Sequence, residues 1–211
     1  MTEAPLTFAT LPAAIASAGG LFVGFDRDGT LIEDCGYGVT PEQVVLKPGL
    51  SQLYASLCSL GYPFKTAVFT NQSAIGRGLT DWETVDAVNR TVALVTNQTV
   101  GADWLTIDRF FVCPHAPDDR CACRKPGTLL FGIATNRLAT QAWPFLMLGD
   151  RGSDCLMALH VGGVAIKLGD ATLAEVGSRG LAAAQRSGQL EACCDLVEAA
   201  ASIRSDIGLI L

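Results

Sequence analysis

Residues 21–30 read LFVGFDRDGT, an apolar run followed directly by two aspartates, Asp26 and Asp28, one residue apart. The run at 21–25 predicts a short buried strand. Because side chains at positions i and i+2 of an extended chain point the same way, both carboxylates are expected to face one small volume, where they repel each other. Such a pair is typical of a cation site, of a shared proton, or of a nucleophile beside an acid/base. The alternative is a simple turn, because Asp and Gly are both turn formers.

The composition is that of a compact globular enzyme. The chain has 211 residues, of which 49% are hydrophobic and 17% are charged, and this favours one domain with a substantial core. The formal net charge of -6 disfavours a nucleic-acid-binding protein, which normally carries a basic patch. No apolar run approaches the roughly 18 residues that span a bilayer, and the N-terminus lacks the basic start of a signal peptide. We therefore expect a cytoplasmic protein without nucleic-acid or membrane partners, either a monomer or a small homo-oligomer.

Apolar β-type runs alternate with helical patterns along the chain. The runs lie at Leu21–Asp26, Phe64–Thr70, Ile107–Cys113, Phe145–Gly149 and Gly163–Leu168. Helices are predicted from Pro48 to Gly61, from a capping-box signature at Thr80 to about Gln98, from Thr128 to about Ala139, and from Ser153 to Val161. This alternation predicts an α/β fold, a Rossmann-like, mostly parallel sheet with helices on both faces.

Polar and metal-binding side chains follow the predicted strands at the point where each strand ends. They are Asp26 and Asp28 after the first strand, Thr70 and Asn71 at the second, Cys113 at the third and Asp150 after the fourth. Ligands of open α/β sheets bind at the carboxyl ends of the strands, near a topological switch point. The sequence therefore predicts one site at this edge of the sheet.

Three segments are predicted along the chain. Residues 1–20 form an N-terminal extension with a short helix, residues 21–170 form the catalytic domain, and residues 171–211 form a tail of two Ala/Leu-rich helices packed on the same domain. Residues 31–47 are too many for a simple loop. We expect this segment, called the flap below, to lie beside the site.

Asp150 joins Asp26 and Asp28 in a predicted cluster of oxygen ligands. Such a cluster suits Mg²⁺, which usually binds one or two carboxylates together with a substrate phosphate. Asp154 is either a further ligand or an acidic residue in the first turn of a helix, where it complements the helix dipole. Lys125 is predicted to bind phosphate, and the partner is therefore a small phosphorylated metabolite.

These residue types predict phosphoryl transfer through an aspartyl-phosphate. Asp26 attacks phosphorus, while Lys125 and Thr70, together with Mg²⁺, hold the phosphoryl oxygens. Asp28 protonates the leaving alcohol and then deprotonates the water that hydrolyses the acyl-phosphate.

A second metal site is predicted at residues 113–123, which read CPHAPDDRCAC. Three thiols and an imidazole, from Cys113, His115, Cys121 and Cys123, match a tetrahedral Cys₃His zinc site. Because the protein fills all four positions, the role of the zinc is expected to be structural, bracing a loop that leads into Arg124. The alternative is a redox dithiol or a set of free thiols.

Together the motifs resemble those of the haloacid dehalogenase superfamily of aspartate-nucleophile phosphatases. Its four motifs are similar to DRDGT at 26–30, TNQS at 70–73, RKP at 124–126 and GD at 149–150, within about residues 21–168. The Cys₃His loop resembles that of the subgroup containing heptose bisphosphate and histidinol-phosphate phosphatases. This resemblance implies that there is no large cap domain, and that the flap and the zinc loop take its place.

The resemblance also implies roles for individual residues. Asp26 would be the nucleophile and Asp28 the acid/base. Magnesium would be held by the Asp26 side chain, the Asp28 main-chain carbonyl and Asp150, with Arg151 beside it. Thr70 and Lys125 would stabilise the phosphoryl group. Substrate contacts are implied for Asp34, Cys35, Gly36 and Tyr37 of the flap, and for Asn71, Gln72, Ser73, Arg77 and Arg124.

Two substrates are compatible with this subgroup. The loop at 73–78 with Arg77, and the pair Gly36-Tyr37, resemble the heptose enzymes and predict release of the C7 phosphate of D-glycero-D-manno-heptose 1,7-bisphosphate. The short spacing between His115 and Cys121 resembles the histidinol-phosphate phosphatases, which are the alternative, beside other small sugar-phosphate phosphatases. A third hypothesis is an inactive, zinc-braced binding protein, which the complete set of motif residues disfavours.

Overall fold

The computed structural model describes residues 4–106, 109–169 and 178–207. At its centre lies a six-stranded sheet in the order β3-β2-β1-β4-β5-β6, in which every pair is parallel. The strands are β1 (Leu21–Phe25), β2 (Phe64–Asn71), β3 (Phe110–Cys113), β4 (Phe145–Gly149), β5 (Val164–Leu168) and β6 (Leu190–Cys193).

Helices cover both faces of this sheet. They are α1 (Leu11–Ala18), α2 (Leu50–Ser59), α3 (Ser73–Gly76), α4 (Trp82–Val100), α5 (Leu129–Leu138), α6 (Gly152–His160), α7 (Ser178–Arg186) and α8 (Leu196–Ser202). Side chains of α1, α2, α4 and α8 share one apolar cluster with Val23 and Phe25. Side chains of α5, α6 and α7 share a second cluster with Phe22 on the other face. The predicted α/β class is therefore confirmed.

The sheet order positions the site. β1 pairs with β2 on one side and with β4 on the other, so the strand order reverses direction between β1 and β4. At such a reversal the connections leave in opposite directions, and a crevice opens at the carboxyl ends of the strands. β1 is completely buried because both of its faces are covered, which explains why its sequence is continuously apolar.

The flap runs between β1 and α2. It contains a short 3₁₀ helix at Pro41–Gln43 and an isolated antiparallel bridge between Ile32 and Leu46. The flap is too short to form a separate cap domain. This agrees with the resemblance, which implied that a large cap is absent and that the flap takes its place.

The C-terminal segment contains a strand that the sequence analysis did not predict. β6 lies between α7 and α8 and pairs in parallel with β5, Ala165 opposite Leu190. Its four residues read LEAC, which is too short and too polar for apolar periodicity to separate it from helix. Residues 170–177 and 208–211 of the predicted tail lie outside the described residues.

Several element ends differ from prediction, most by one or two residues, and the starts of α4 and β3 are examples. The capping residue of α4 is Asp81, whose Oδ1 accepts a hydrogen bond from the Thr84 N–H at 2.8 Å, so the capping box predicted at Thr80 was wrong by one residue. β3 begins at Phe110, whereas the predicted strand began at Ile107, which is not among the described residues. No helix in the described ranges is long and apolar enough to cross a membrane.

Candidate active site

A cavity of ≈ 380 Å³ opens at the carboxyl ends of β1 and β2. Its lining residues are Asp26, Asp28, Asp34, Gly36, Tyr37, Thr70, Asn71, Gln72, Ser73, Ala74, Arg124, Lys125, Arg151, Ser153 and Asp154. Most residues predicted for catalysis and substrate contact are therefore gathered around one space. Cys35 and Arg77 are not among the lining residues. Ala74 and Ser153 line the cavity but were not predicted, because neither small residue carries a chemical signal of its own.

Lys125 joins two of the acids that line the cavity, Asp26 and Asp154. Its buried Nζ donates to Oδ1 of Asp26 at 2.6 Å and to the Phe69 carbonyl at 2.6 Å, and it lies 2.7 Å from Oδ1 of Asp154. Burial alone would lower the pKa of Lys125, but the charges of Asp154 and Asp26 outweigh burial and raise that pKa. The ammonium group is therefore charged and held in place by carboxylates on two sides.

The carboxylate of Asp28 faces a different set of partners. Gln72 donates its Nε2–H to Oδ2 of Asp28 at 2.7 Å, and the Thr70 hydroxyl lies 3.5 Å from the same oxygen. The Arg27 guanidinium also contacts Asp28, with Nη2 at 3.0 Å from Oδ1. The two aspartates of DRDGT therefore have different partners. Lys125 holds Asp26, while Arg27 and Gln72 hold Asp28.

Asp150 follows β4 and reaches the loop that follows β1. A Cβ placed on Gly29, whose φ is +80°, would lie 2.4 Å from Oδ2 of Asp150. Only glycine leaves room for this close approach, and it also accepts the left-handed backbone. The Gly in DRDGT is therefore required by the Asp150 carboxylate as well as by the turn.

Asp154 was predicted to be either a further metal ligand or an acidic residue in the first turn of a helix, and its two carboxylate oxygens have different partners. Its Oδ2 accepts a hydrogen bond from the Arg151 N–H at 3.0 Å, which caps the start of α6. Its other oxygen, Oδ1, faces Lys125. The residue therefore stabilises the helix start and also belongs to the acidic cluster.

The acidic cluster fits a divalent cation. Oxygens of Asp26, Asp150 and Asp154 all lie within 4.8 Å of one another. Burial, and then repulsion by Asp26 and Asp154, raise the pKa of Asp150 to about 7, and burial raises the pKa of Asp26 despite the charge of Lys125. Oδ1 of Asp150 is buried without a hydrogen-bond partner among the described residues. Excess negative charge and an unsatisfied hard oxygen are what Mg²⁺ would neutralise and bind.

The four predicted zinc ligands lie together in the loop after β3. The Nδ1 atom of His115 lies 3.1 Å from Sγ of Cys123, and Sγ of Cys113 lies 3.6 Å from Sγ of Cys121. Neighbouring ligands of a tetrahedral zinc with Zn–S bonds of about 2.3 Å are separated by comparable distances. Burial, with smaller effects of the neighbouring thiols, raises the pKa of Cys113 to about 12. Without metal the Cys113 thiol therefore retains its proton, which zinc binding would release.

Hydrogen bonds connect the zinc loop to the cavity. Asn71 accepts from the Lys125 N–H at 3.0 Å and donates to the Lys125 carbonyl at 3.3 Å. The Gln72 N–H donates to the Cys113 carbonyl at 2.7 Å, and the Gly76 N–H donates to the Pro114 carbonyl at 2.9 Å. Asn71, which was predicted to contact substrate, lines the cavity, and its side-chain amide also holds the main chain of Lys125.

The flap contacts the opposite side of the cavity through one exposed ion pair. Nη2 of Arg151 lies 3.0 Å from Oδ2 of Asp34. The Tyr37 ring is exposed and lies 5.7 Å from the Arg77 guanidinium. The Cys35 thiol lies near the Glu33 and Gln43 carbonyls, which means that it is directed along the flap rather than at the cavity.

Comparison with known proteins gives consistent relatives, although no protein-family model matches the chain. The D-glycero-beta-D-manno-heptose-1,7-bisphosphate 7-phosphatase of Bordetella bronchiseptica is 38% identical over 138 residues, covering 65% of this chain and 74% of that protein. The Helicobacter pylori protein of the same name is 32% identical over 135 residues, covering 64% and 75%. The crystal structure of D,D-heptose 1,7-bisphosphate phosphatase from B. bronchiseptica, complexed with magnesium and phosphate, superposes with a TM-score of 0.66 at 26% identity, covering 86% of this chain and 97% of that chain.

Fold, site and relatives agree. The named relatives share sequence identity with this chain, and the solved structure shares its fold. The chain is a member of the D-glycero-D-manno-heptose-1,7-bisphosphate 7-phosphatase family of haloacid dehalogenase-like phosphatases.

Proposed function

We propose that this chain releases the C7 phosphate of D-glycero-D-manno-heptose 1,7-bisphosphate through an aspartyl-phosphate on Asp26. The observation that carries the proposal is the buried contact between Lys125 and Asp26, 2.6 Å long, beside a second carboxylate, Asp28, with separate partners. One acid is held as a nucleophile beside a cation, while the other remains available for proton transfer.

The first step uses Asp26 as the attacking group. A carboxylate oxygen forms a bond to phosphorus while the bond from phosphorus to the sugar oxygen breaks, and the sugar leaves as an alcohol. Lys125 orients the Asp26 carboxylate through Oδ1, and its charge stabilises the phosphoryl oxygens. Thr70 lines the same cavity and would donate its hydroxyl to one of these oxygens.

Asp28 moves the proton in both steps. It gives a proton to the departing sugar oxygen and then takes one from the water that attacks the acyl-phosphate. Gln72, 2.7 Å from Oδ2, orients this carboxyl group toward the cavity that both residues line.

Magnesium would be held by the side chains of Asp26 and Asp150 and by the main-chain carbonyl of Asp28, with Arg151 beside them. When bound, the ion supplies positive charge that offsets the charge of the phosphoryl oxygens. Asp154, whose oxygen belongs to the same cluster, would support the site from the start of α6.

The heptose bisphosphate suits the remaining lining better than histidinol phosphate does. Arg124 and Arg151 both line the cavity, and guanidinium groups bind phosphate well. A substrate with a second phosphate would gain from them, whereas histidinol phosphate carries an amine in place of that phosphate and would be repelled. The other predicted substrate contacts that line the same space are Asp34, Gly36, Tyr37, Asn71, Gln72 and Ser73. Arg77 lies beside the Tyr37 ring, and Cys35 lies between Asp34 and Gly36 in the chain.

Steady-state rates with Mg²⁺ on the heptose bisphosphate and on histidinol phosphate test this proposal. We expect a higher kcat/KM for the bisphosphate, with the C1 phosphate retained in the product by ³¹P NMR. A preference for histidinol phosphate would show that the substrate is wrong although the chemistry is right. Failure of both, and of other phosphate monoesters, would favour the zinc-braced binding protein.

We further propose that the protein acts in the cytoplasm on precursors of lipopolysaccharide, capsule or another glycoconjugate, as a monomer or a small homo-oligomer. We propose no nucleic-acid or membrane partner. Cell fractionation and light scattering of the purified protein test these statements, and a membrane-bound or higher-order state would contradict them.

A further inference from the structure

Arg27 is a buried cation that the reaction described above does not use. It lies between the two aspartates of DRDGT and is 2% exposed. Its Nε lies 3.2 Å from both carboxylate oxygens of Asp28, and its Nη2 lies 3.0 Å from Oδ1. Its remaining nitrogen, Nη1, donates to Oδ1 of Asn89 at 2.9 Å. The guanidinium therefore holds Asp28 on one edge and is itself held on the other.

The hydrogen-bond partner of Arg27 on α4, Asn89, is a buried polar residue as well. Asn89 is 3% exposed and stands on the buried face of a helix whose neighbouring inward residues are Val85, Val88 and Val92. A buried amide among valines is costly unless it is hydrogen-bonded. The contact with Arg27 supplies that hydrogen bond, which gives the asparagine a specific function rather than one of packing.

Among the ion pairs of the described residues, Arg27 contacts one acid, Asp28. Lys125, another buried cation, contacts Asp26 and Asp154 of the three-carboxylate cluster. A planar guanidinium that donates from Nε and Nη2 restricts the rotation of a carboxylate more than a point charge does. Gln72 then fixes Oδ2 from the other side at 2.7 Å.

We propose that Arg27, fixed by Asn89, is a positioning residue that orients the Asp28 carboxyl group for proton transfer to the leaving alcohol. The inference rests on the proposed function, because it assigns to Arg27 an action through the acid/base. It also assigns a purpose to α4, since Asn89 is remote in sequence from every motif and is not one of the residues that line the cavity.

Because Asp28 gives its proton to the leaving group, the effect of misorienting Asp28 should depend on which leaving group departs. In the first step an oxygen of Asp26 bonds to phosphorus, the bond from phosphorus to the leaving oxygen breaks, and the proton of Asp28 passes to that oxygen. A sugar alkoxide is a poor leaving group and needs this proton, whereas 4-nitrophenolate leaves without it. Misorientation of Asp28 should therefore slow the first step for a sugar phosphate and leave it nearly unchanged for 4-nitrophenyl phosphate.

The experiment measures single-turnover release of the leaving group from both esters in three variants. Asn89→Ala removes the acceptor for Arg27, Asn89→Asp keeps an oxygen acceptor, and Arg27→Lys keeps the charge but loses the planar contact. For Asn89→Ala and Arg27→Lys we expect the first step with the sugar phosphate to fall by about tenfold to a hundredfold, part of the usual contribution of acid catalysis. We expect 4-nitrophenyl phosphate to change by less than about threefold, and Asn89→Asp to restore most of the lost rate.

Thr96→Val is the matched control. Thr96 is also buried on α4, and its hydroxyl has no hydrogen-bond partner among the described residues, so its loss should not discriminate between the two esters. An equal loss for both esters in the Asn89 and Arg27 variants would overturn the inference, because it would indicate general disruption of the fold. If Arg27→Lys does not fold, the Asn89 pair still tests the same contact.

Asp28→Asn separates this inference from the proposed function. If that variant loses the sugar phosphate selectively while the Arg27 and Asn89 variants do not, the positioning role alone is wrong. If Asp28→Asn lowers the rates of leaving-group release from both esters equally, Asp28 is not the acid/base, and the inference is wrong as well.

Discussion

The two metal-binding clusters of this molecule are assembled in different ways. The thiol cluster comes from one loop, residues 113–123, and its ligands are neighbours along the chain. The acidic cluster takes Asp26 from the end of β1 and Asp150 and Asp154 from the end of β4 and the start of α6. Closing the short loop costs little conformational entropy, whereas the acids are brought together only by the folded sheet.

The difference is also electrostatic. Protonated thiols do not repel, and the raised pKa of Cys113 indicates that this thiol stays uncharged until a metal binds. The acids are held together by the sheet although burial and mutual repulsion raise the pKa of Asp150 to about 7. The thiol cluster can therefore stabilise the loop around it when it binds a metal. The acidic cluster is held together by the folded sheet, and its charges are available for chemistry.

Asp26→Asn tests the acidic cluster most severely. We expect kcat to fall by about 10⁴-fold or more, as in other enzymes that lose their nucleophile. The thermal midpoint should not fall, because the substitution removes a repelling charge and keeps an oxygen for Lys125. Activity and circular dichroism melts check both statements, and Asp86→Asn, an exposed acid on α4, is the control. Substantial remaining turnover would remove Asp26 from the mechanism.

In contrast to Asp26→Asn, Cys121→Ala should lower the stability of the protein. Loss of one ligand should reduce the zinc content from about one per chain to a small fraction. It should destabilise the protein by several kcal/mol, lowering the melting temperature by about 10 °C. Metal analysis and melts measure this, with Cys58→Ala as the control because Cys58 lies outside the cluster on α2. An unchanged metal content would contradict the Cys₃His assignment.

Asn71→Ala tests the connection between the two clusters. It removes both hydrogen bonds to the main chain of Lys125, so the lysine should be less well oriented. We expect kcat/KM to fall by about tenfold to a hundredfold while the zinc content stays unchanged. Asn136→Ala, at an exposed position on α5, serves as the control. A loss of zinc in Asn71→Ala would mean that the clusters are coupled more strongly than these two bonds imply.

The smallest expected effect concerns pH. The pKa of Asp150 is raised from 3.8 to about 7 in the folded, metal-free protein, so the folded state binds this proton more tightly than the unfolded state does. The stability that the protonated Asp150 carboxyl gives the folded state is complete below about pH 4 and is lost as the pH rises through about 7. In Mg²⁺-free buffer, Asp150→Asn should therefore gain a few degrees in melting temperature over the wild type between about pH 5 and pH 8. A constant difference would contradict this account.

Much of the fold could be predicted because its strands are buried on both faces and therefore read as apolar runs, as at Phe145–Gly149. β6 escaped prediction, since four residues with a glutamate carry no clear period, and its position depends on pairing with β5. The capping error at Thr80 has a similar origin. Thr80 and Asp81 are both good capping residues, and only the path of the chain decides which side chain meets the Thr84 N–H.

Within the site, residue type predicted the chemistry but not the partners. The sequence marked Asp26, Asp28 and Asp150 through their place after strands, and the structure brings each to the same edge of the sheet. It could not predict that Asn71 would hold Lys125, or that Asn89 on α4 would meet Arg27. Those contacts join segments far apart in the chain, and no local pattern records them.

The sequence by itself determined the two ligand sets and the order of the motifs, because apolar periodicity and the spacing of Cys, His and Asp are local properties. Only the tertiary structure decided that Lys125 would stand between Asp26 and Asp154 and that Arg27 would turn to Asp28. The physical reason is that charged side chains in a buried space must find partners, and which partners are within reach is set by the packing of strands and helices that are distant in sequence.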